Sequence, residues 1–365
     1  MGELAELTAA LVAIDSVNPS LAAGAPGETE LARFVADWCA QAGLDVVHEE
    51  AAPGRPNVIA TARGSGGGRS LMLNAHLDTV GVAGMAEPFS GRIVDGRLYG
   101  RGAGDMKASL AASMLAAVRA SSLRLRGDVV VAAVSDEEVA SVGTEAVAAR
   151  HPTDLAIVTE PTDERLAIAH RGFVGFEIET EGFAAHGSRP DLGVDAIARM
   201  GHVLRRIEEL SERLSEGPAH PLLGTGSVHA SLIEGGQEYS SYPASCLLTG
   251  ERRTIPGDSV EQVRDEVSAL LGAVPGEIRL GISRPPFELA RDHAFVETVS
   301  QCAGGPEVVG VPYWADSGLL GAAGIPTVLY GPRAEGLHGE EEWVDIASAE
   351  RCLEVYVAVA AAVCA

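Results

Sequence analysis

At 365 residues with a 46% hydrophobic fraction, the chain is long for a single core, and two domains are expected. A formal net charge of −24 argues against nucleic acid and anionic membrane surfaces as partners. The five cysteines, Cys39, Cys246, Cys302, Cys352 and Cys364, are scattered without a Cys-x-x-Cys pair, so reduced thiols and a cytoplasmic setting are expected.

The acidic start, Met1-Gly-Glu-Leu-Ala-Glu-Leu, has no signal-peptide pattern. Helical spacing of apolar residues predicts helices over Leu4–Ile14 and Leu31–Ala42, and Asp45–Val47, Asn57–Ala62 and Ser70–Asn74 read as strands. Asp95-Gly96 marks a hairpin within Arg92–Gly100, and a helix is predicted over Met106–Ala120 after a glycine-rich turn. Asp128–Val134 and Leu155–Val158 are continuous apolar runs, the pattern of central strands buried on both faces. From Phe173 the texture changes. Phe173–Glu181 alternates like a half-exposed antiparallel strand, and further strands are expected at Ser227–Ile233, Cys246–Arg252 and Glu277–Ser283. Helices are predicted over Asp195–Leu214 and Ser259–Leu271. The helix–strand alternation returns after Asp292, and the final apolar run, Val355–Ala365, is too short to span a bilayer and reads as a packed helix. The expected architecture is an α/β domain, a mixed sheet covered by helices, made of residues 1–170 and 286–365, with an α+β domain inserted at 171–285.

Chemistry is concentrated in five metal-type side chains: His76, Asp105, Glu138, Glu160 and His338. Two imidazoles and three carboxylates are too few for two separate four-coordinate ions. They suffice if one carboxylate bridges and water completes each shell, as in paired metals ~3.5–4 Å apart. His76 and Asp78 follow a buried-looking strand, where ligands collect in open α/β sheets. The spacing lets the aspartate orient the imidazole, and the alternative is a core histidine satisfied by a neighbour. Asp105 closes Gly100-Arg-Gly-Ala-Gly-Asp, whose glycines fit neither the dinucleotide nor the Walker pattern of a phosphate cradle. In Ser135-Asp-Glu137-Glu138 the acids either form the first turn of a helix capped by Ser135, or divide into a metal ligand and a base. Glu160 ends an apolar strand before Pro161, and His338 lies in a late loop.

These motifs together, Ala75-His-x-Asp78, Gly100-x-Gly-x-x-Asp-Met-Lys107, Asp136-Glu-Glu138 and the late His338, resemble a family of metallopeptidases. Its members include acetylornithine deacetylase, succinyl-diaminopimelate desuccinylase, aminoacylase and glutamate carboxypeptidase. The resemblance runs from Leu11-Val-Ala-Ile-Asp-Ser-Val-Asn-Pro19 to Trp343-Val344. It implies a zinc-peptidase-type catalytic domain with a ferredoxin-like lid and dimerisation domain. It also implies two divalent ions per chain, zinc or cobalt: His76 and Glu160 on one, Glu138 and His338 on the other, Asp105 bridging, with a cis Asp105–Met106 peptide. Asp78 would support His76, and Glu137 would be the general base toward a metal-bound hydroxide. In the inserted domain, Ala184-Ala-His186-Gly-Ser-Arg-Pro190 matches the motif whose histidine reaches the partner subunit's site, which implies a homodimer. Glu251-Arg-Arg253-Thr-Ile-Pro-Gly257 places Arg253 where a substrate carboxylate is met. Ser240-Ser-Tyr-Pro243 and Trp314-Ala-Asp316-Ser-Gly318 depart from the family at substrate-contact positions, including Ser240, and residue 318 is not arginine. The activity implied is cleavage of a small N-acyl amino acid. A carboxypeptidase or dipeptidase using the same site is the alternative, and a non-catalytic binding protein on the same scaffold is a remote one.

Overall fold

Residues 2–365 are described by a computed structural model. They form two compact units. The first contains the chain up to Ile168, then Leu289–Val309 and Ala315–Ala365; the second contains Ala169–Glu288 and Gly310–Trp314.

The first unit opens with helices α1 (Glu3–Val12) and α2 (Thr29–Gln41), then strands β1 (Asp45–Ala52), β2 (Arg55–Ala62) and β3 (Leu71–His76). The hairpin β4 (Ile93–Val94) and β5 (Arg97–Tyr99) turns through Asp95 and Gly96, both at positive φ, as an Asp-Gly turn requires. Helix α3 (Ala108–Ser121), β6 (Val129–Val134), α4 (Val142–Arg150), β7 (Leu155–Val158) and β8 (Leu166–His170) follow.

The second unit takes β9 (Gly172–Glu181), α5 (Ala196–Ser215), β10 (Ser227–Gly235), β11 (Ser245–Thr254), α6 (Val260–Leu271), β12 (Gly276–Arg284) and β13 (Phe287–Glu288). Then come α7 (Ala294–Cys302), β14 (Val308–Val311), α8 (Ser317–Ala322), β15 (Thr327–Leu329), β16 (Ala334–Glu335), β17 (Trp343–Asp345) and α9 (Ile346–Val363).

In the first unit the strands run β1-β2-β6-β3-β7-β15-β8. β6, β3, β7 and β15 are mutually parallel, and every residue of β3, β6 and β7 is buried, which is why their sequences are unbroken apolar runs. β1 is an antiparallel edge strand that runs on to Ala52, beyond the expected Val47. Its outward His48, Glu49 and Glu50 hid it from an apolar reading, and charged edges of this kind blunt unwanted pairing. The last helix likewise starts earlier than its apolar run, at Ile346, because the Asp345 carboxylate accepts the Ser348 N–H as an N-cap.

The expected helix at Met106 begins at Ala108. Ala103–Lys107 is a wide turn with Asp105 and Met106 outside helical dihedrals and a cis peptide between them. No helix starts at Ser135 either. Asp136 sits at φ 69°, its carbonyl accepts from Val139, Ala140 and Ser141, and α4 begins only at Val142. The acids at 136–138 therefore lie in a turn and not in a helix's first turn.

In the second unit the sheet order is β10-β11-β9-β12, all antiparallel, with α5 and α6 packed on one face. Val174, Phe176 and Ile178 of β9 point into that core, with Met200, Val203 and Ile207 of α5. Phe173–Glu181, expected as a half-exposed antiparallel strand, is an inner strand of this sheet; β10 and β12 are the edges. β9 alternates because helices cover one face only, a pattern that inner and edge strands share.

Gly143 marks where α4 meets the end of β6. A Cβ there would lie 2.4 Å from the Ser135 carbonyl oxygen and 2.7 Å from Asn57 Oδ1. Gly143→Ala should cost about 1–3 kcal/mol, the usual range for overpacking, measured by denaturant titration of the metal-free protein. An unchanged midpoint would contradict this tight packing.

Candidate metal centre

The three parallel strands β3, β6 and β7 end at one edge, and each brings an acid or imidazole there. His76 is the last residue of β3, the turn Ser135–Glu138 follows β6, and Glu160 follows β7. Asp105 comes from the turn ahead of α3, and His338, at φ 61°, from the loop between β16 and β17.

All five expected ligands come together. One group is His76, Asp105 and Glu160; the other is Asp105, Glu138 and His338, with ligand atoms within 4.8 Å of one another in each. Asp105 belongs to both, and its two oxygens face opposite ways. Oδ1 is 2.9 Å from His76 Nε2, and Oδ2 is 3.4 Å from His338 Nε2. Glu160 Oε1 lies 3.6 Å from His76 Nε2, and Glu138 Oε2 lies 3.2 Å from His338 Nε2.

The electrostatics are those of carboxylates crowded with two imidazoles in a buried space. Burial, reinforced by the Glu160 carboxylate, pushes Glu137 well above the usual carboxylate range. Burial and Asp105 do the same to Glu160, and burial raises Glu138. Asp105 is held low against burial by its bonds to His338 and His76. Hydrogen bonds to Asp105 and Glu138 push the His338 imidazole up to about 10, and Asp105 and Glu160 raise His76 despite burial. Glu138 Oε1 is buried with no partner. A divalent ion in each group would supply the missing charge and satisfy that oxygen, so this donor set fits a metal pair.

Asp78 acts differently from the sequence expectation. His76 Nδ1 is 2.9 Å from the Asp78 main-chain carbonyl, which can only accept, so Nδ1 carries the proton and Nε2 is left to coordinate. The Asp78 carboxylate, 3.8 Å from the ring, instead accepts the main-chain N–H groups of Glu137 and Glu138 at 3.0 and 3.1 Å. It thereby fixes the turn bearing the candidate base. Asn18 Nδ2 donates to Asp78 Oδ2 and Asp136 Oδ1, and Arg55 reaches Asn18, Asp136 and buried Glu28. Asn18 stood inside a recognised motif, but nothing in sequence spacing signalled Arg55 or Glu28 as its support. Asp316, fully buried and raised to about 6 by burial, accepts from Thr144 at 2.6 Å.

The remaining candidates lie on the second unit. His186 is exposed, its Nδ1 2.8 Å from Ser188 Oγ. Ser240 is brought beside it: the Gly187 N–H donates to the Ser240 carbonyl, while Ser240 Oγ donates to Glu238 at 3.2 Å. Arg253 is paired with Glu251 and lies over the Phe173 ring at 5.4 Å.

Residues 72–362 match the peptidase family M20/M25/M40. The chain belongs to this family. It is 30% identical over 341 residues to an acetylornithine deacetylase of Vibrio cholerae serotype O1, covering 90% of this chain and 89% of that one. Its fold is similar to an M20 family metallo-carboxypeptidase from Sulfolobus solfataricus (TM-score 0.81, 18% identity, 99% of each chain). It is also similar to a dinuclear metal binding peptidase of the M20 family from Bacillus subtilis (TM-score 0.73, 16% identity, 99% of this chain and 97% of that one). As a member of the M20 family the chain is a metal-dependent hydrolase.

Both imidazoles are held toward the protonated form, and a metal needs them neutral. Lower pH therefore favours the metal-free state, and affinity for zinc should rise with pH as protons are released. Calorimetry of zinc uptake in buffers of different ionisation enthalpy should give buffer-dependent heats; identical heats would contradict the protonated centre.

Proposed function

We propose that this protein is an amidohydrolase that splits a small N-acyl amino acid into a carboxylic acid and an amine. The observation that carries the reading is the shared Asp105, one oxygen to each ligand group, with Glu137 a further buried carboxylate interacting with His76, Glu160 and Glu138. His76 and Glu160 would hold one divalent ion and Glu138 and His338 the other, most simply zinc, with cobalt as a substitute. Bound there, such ions polarise a carbonyl and bring the pKa of water to roughly 7.

Glu137 takes the proton of the attacking water. As the carbonyl–nitrogen bond breaks, it returns that proton to the leaving amine. Its burial among the candidate ligands suits both steps. Asp78 holds the main chain of this base through two N–H bonds and so limits its reach. The 30% identity to a deacetylase supports the N-acyl amino acid reading over a peptidase. A screen of N-acetyl, N-succinyl, N-formyl and N-carbamoyl amino acids against dipeptides tests it, and turnover of dipeptides alone would overturn it.

A homodimer through the second unit is part of the proposal, with His186 supplied to the partner's site to stabilise the oxyanion. It is supported by the edge strand β10, exposed along most of its length, which carries Leu232 and Ile233 at 67% and 52% exposure. The net charge of −24 disfavours nucleic acid, and no described helix is long and apolar enough to cross a membrane. Five free thiols support a cytoplasmic location, which cell fractionation would test.

Glu137→Gln should keep two ions per chain and lose kcat by about 10²–10⁴-fold. Near-normal turnover would remove Glu137 from the mechanism. Mixed with His186→Ala chains, the same variant should regain activity if sites are completed across the interface, and no recovery after subunit exchange would argue against it.

Arg253 is assigned to the substrate carboxylate, in competition with Glu251. Arg253→Ala should lower kcat/KM by about 1.5–3 kcal/mol equivalent on acid substrates and less on their amides. Equal losses on both would make Arg253 a strut on Phe173.

A further inference from the structure

A buried ion pair sits behind the candidate metal centre and is not one of its ligands. Arg101 and Glu342 meet at 2.6 Å between Arg101 Nη1 and Glu342 Oε2, with side chains 2% and 0% exposed. The other Glu342 oxygen, Oε1, accepts two main-chain N–H groups, those of Gly104 at 2.9 Å and Asp105 at 3.1 Å. The remaining Arg101 donors reach the Gly81 carbonyl at 3.0 Å and the Gly339 carbonyl at 2.8 Å. Gly339 is the residue after His338.

We infer that Arg101 and Glu342 are positioning residues that hold the Asp105 turn and the His338 loop in register, and so set affinity for the second ion. The inference rests on the dinuclear reading of the centre. The topology supplies the reason. His76 is carried on a strand hydrogen-bonded on both sides, so its place is set by the sheet. His338 has no such support: its side chain is 53% exposed, on a loop. The contacts that tie this loop to the Asp105 turn include those of Arg101 and Glu342. A buried pair of this kind often adds little net stability, so its value lies in placement. The geometry also needs a carboxylate. Glu342 uses one oxygen for Arg101 and the other for the two N–H groups, whereas an amide has one acceptor and must abandon one side.

The test is cobalt titration of the metal-free protein, followed by visible absorption and by metal counting after gel filtration. Wild type should bind two ions. Glu342→Gln and Arg101→Lys should still bind one ion with the smaller loss and bind the other at least tenfold more weakly than wild type. The double variant Arg101→Met/Glu342→Leu removes both buried charges. It also leaves the Gly104 and Asp105 N–H groups and the Gly81 and Gly339 carbonyls without these partners. The second ion should therefore stay weak whether or not the urea midpoint recovers relative to the single variants, a separation that a merely structural pair would not give. Two ions bound at wild-type affinity by the folded single or double variants would overturn the inference and leave the dinuclear reading intact. Fewer than two ions on wild type would overturn that reading, and the positioning role with it.

Discussion

The structure is organised around a charge that the polypeptide does not contain. Four acids, Asp105, Glu137, Glu138 and Glu160, are drawn together with two imidazoles in a largely buried space. Burial, reinforced by neighbouring carboxylates, raises the proton affinity of Glu137, Glu138 and Glu160, while the two imidazoles hold Asp105 low. Isolated buried carboxylates are costly, and a fold keeps them only when something compensates. Protons on the histidines do this in part, but Glu138 keeps a buried oxygen without a partner. Divalent cations remove the conflict, and most of the surrounding polar structure makes sense as preparation for them.

That preparation is layered. Parallel strands deliver His76, the 136–138 turn and Glu160 to one edge because parallel neighbours share a C-terminal end. The Asp78 carboxylate pins the turn of Glu137 and Glu138 through their main-chain N–H groups. Behind it, Asn18 and Arg55 tie the same carboxylate to buried Glu28, whose acid is pushed up to about 7, first by burial. On the far side Arg101 and Glu342 do the equivalent for Asp105 and the His338 loop. Each support is a charged group spending its hydrogen bonds on main chain or on another support, which is how a ligand is kept from drifting by an ångström.

The second unit follows simpler rules. One sheet face is covered by α5 and α6, the other carries Phe173, Glu177, Glu179 and Arg279, and the Arg279 pairs run across strands on that open face. Arg253 lies on this face too, already engaged by Glu251 and the Phe173 ring. An incoming carboxylate at Arg253 would compete with Glu251 for the guanidinium.

Much of this was legible in the residues alone. The apolar runs Val129–Val134 and Leu155–Val158 announced central strands, the alternation from Phe173 announced a half-covered sheet, and the five ligands stood out by type and place. Periodicity works there because burial on one or both faces imposes it. It failed where polarity came from position: the charged edge strand β1 was cut short. It also failed at the two turns of the site, where Asp105 and Asp136 leave helical dihedrals in segments that read as helix or helix start. Sequence thus picked out the candidate ligands and the strands that carry them, since those depend on local chemistry and hydropathy. Only tertiary structure decided that the Asp78 carboxylate holds the Glu137–Glu138 main chain, and that Arg101 and Glu342 tie the Asp105 turn to the His338 loop. Those are contacts between segments as much as 241 positions apart, and spacing along a chain carries no information about them.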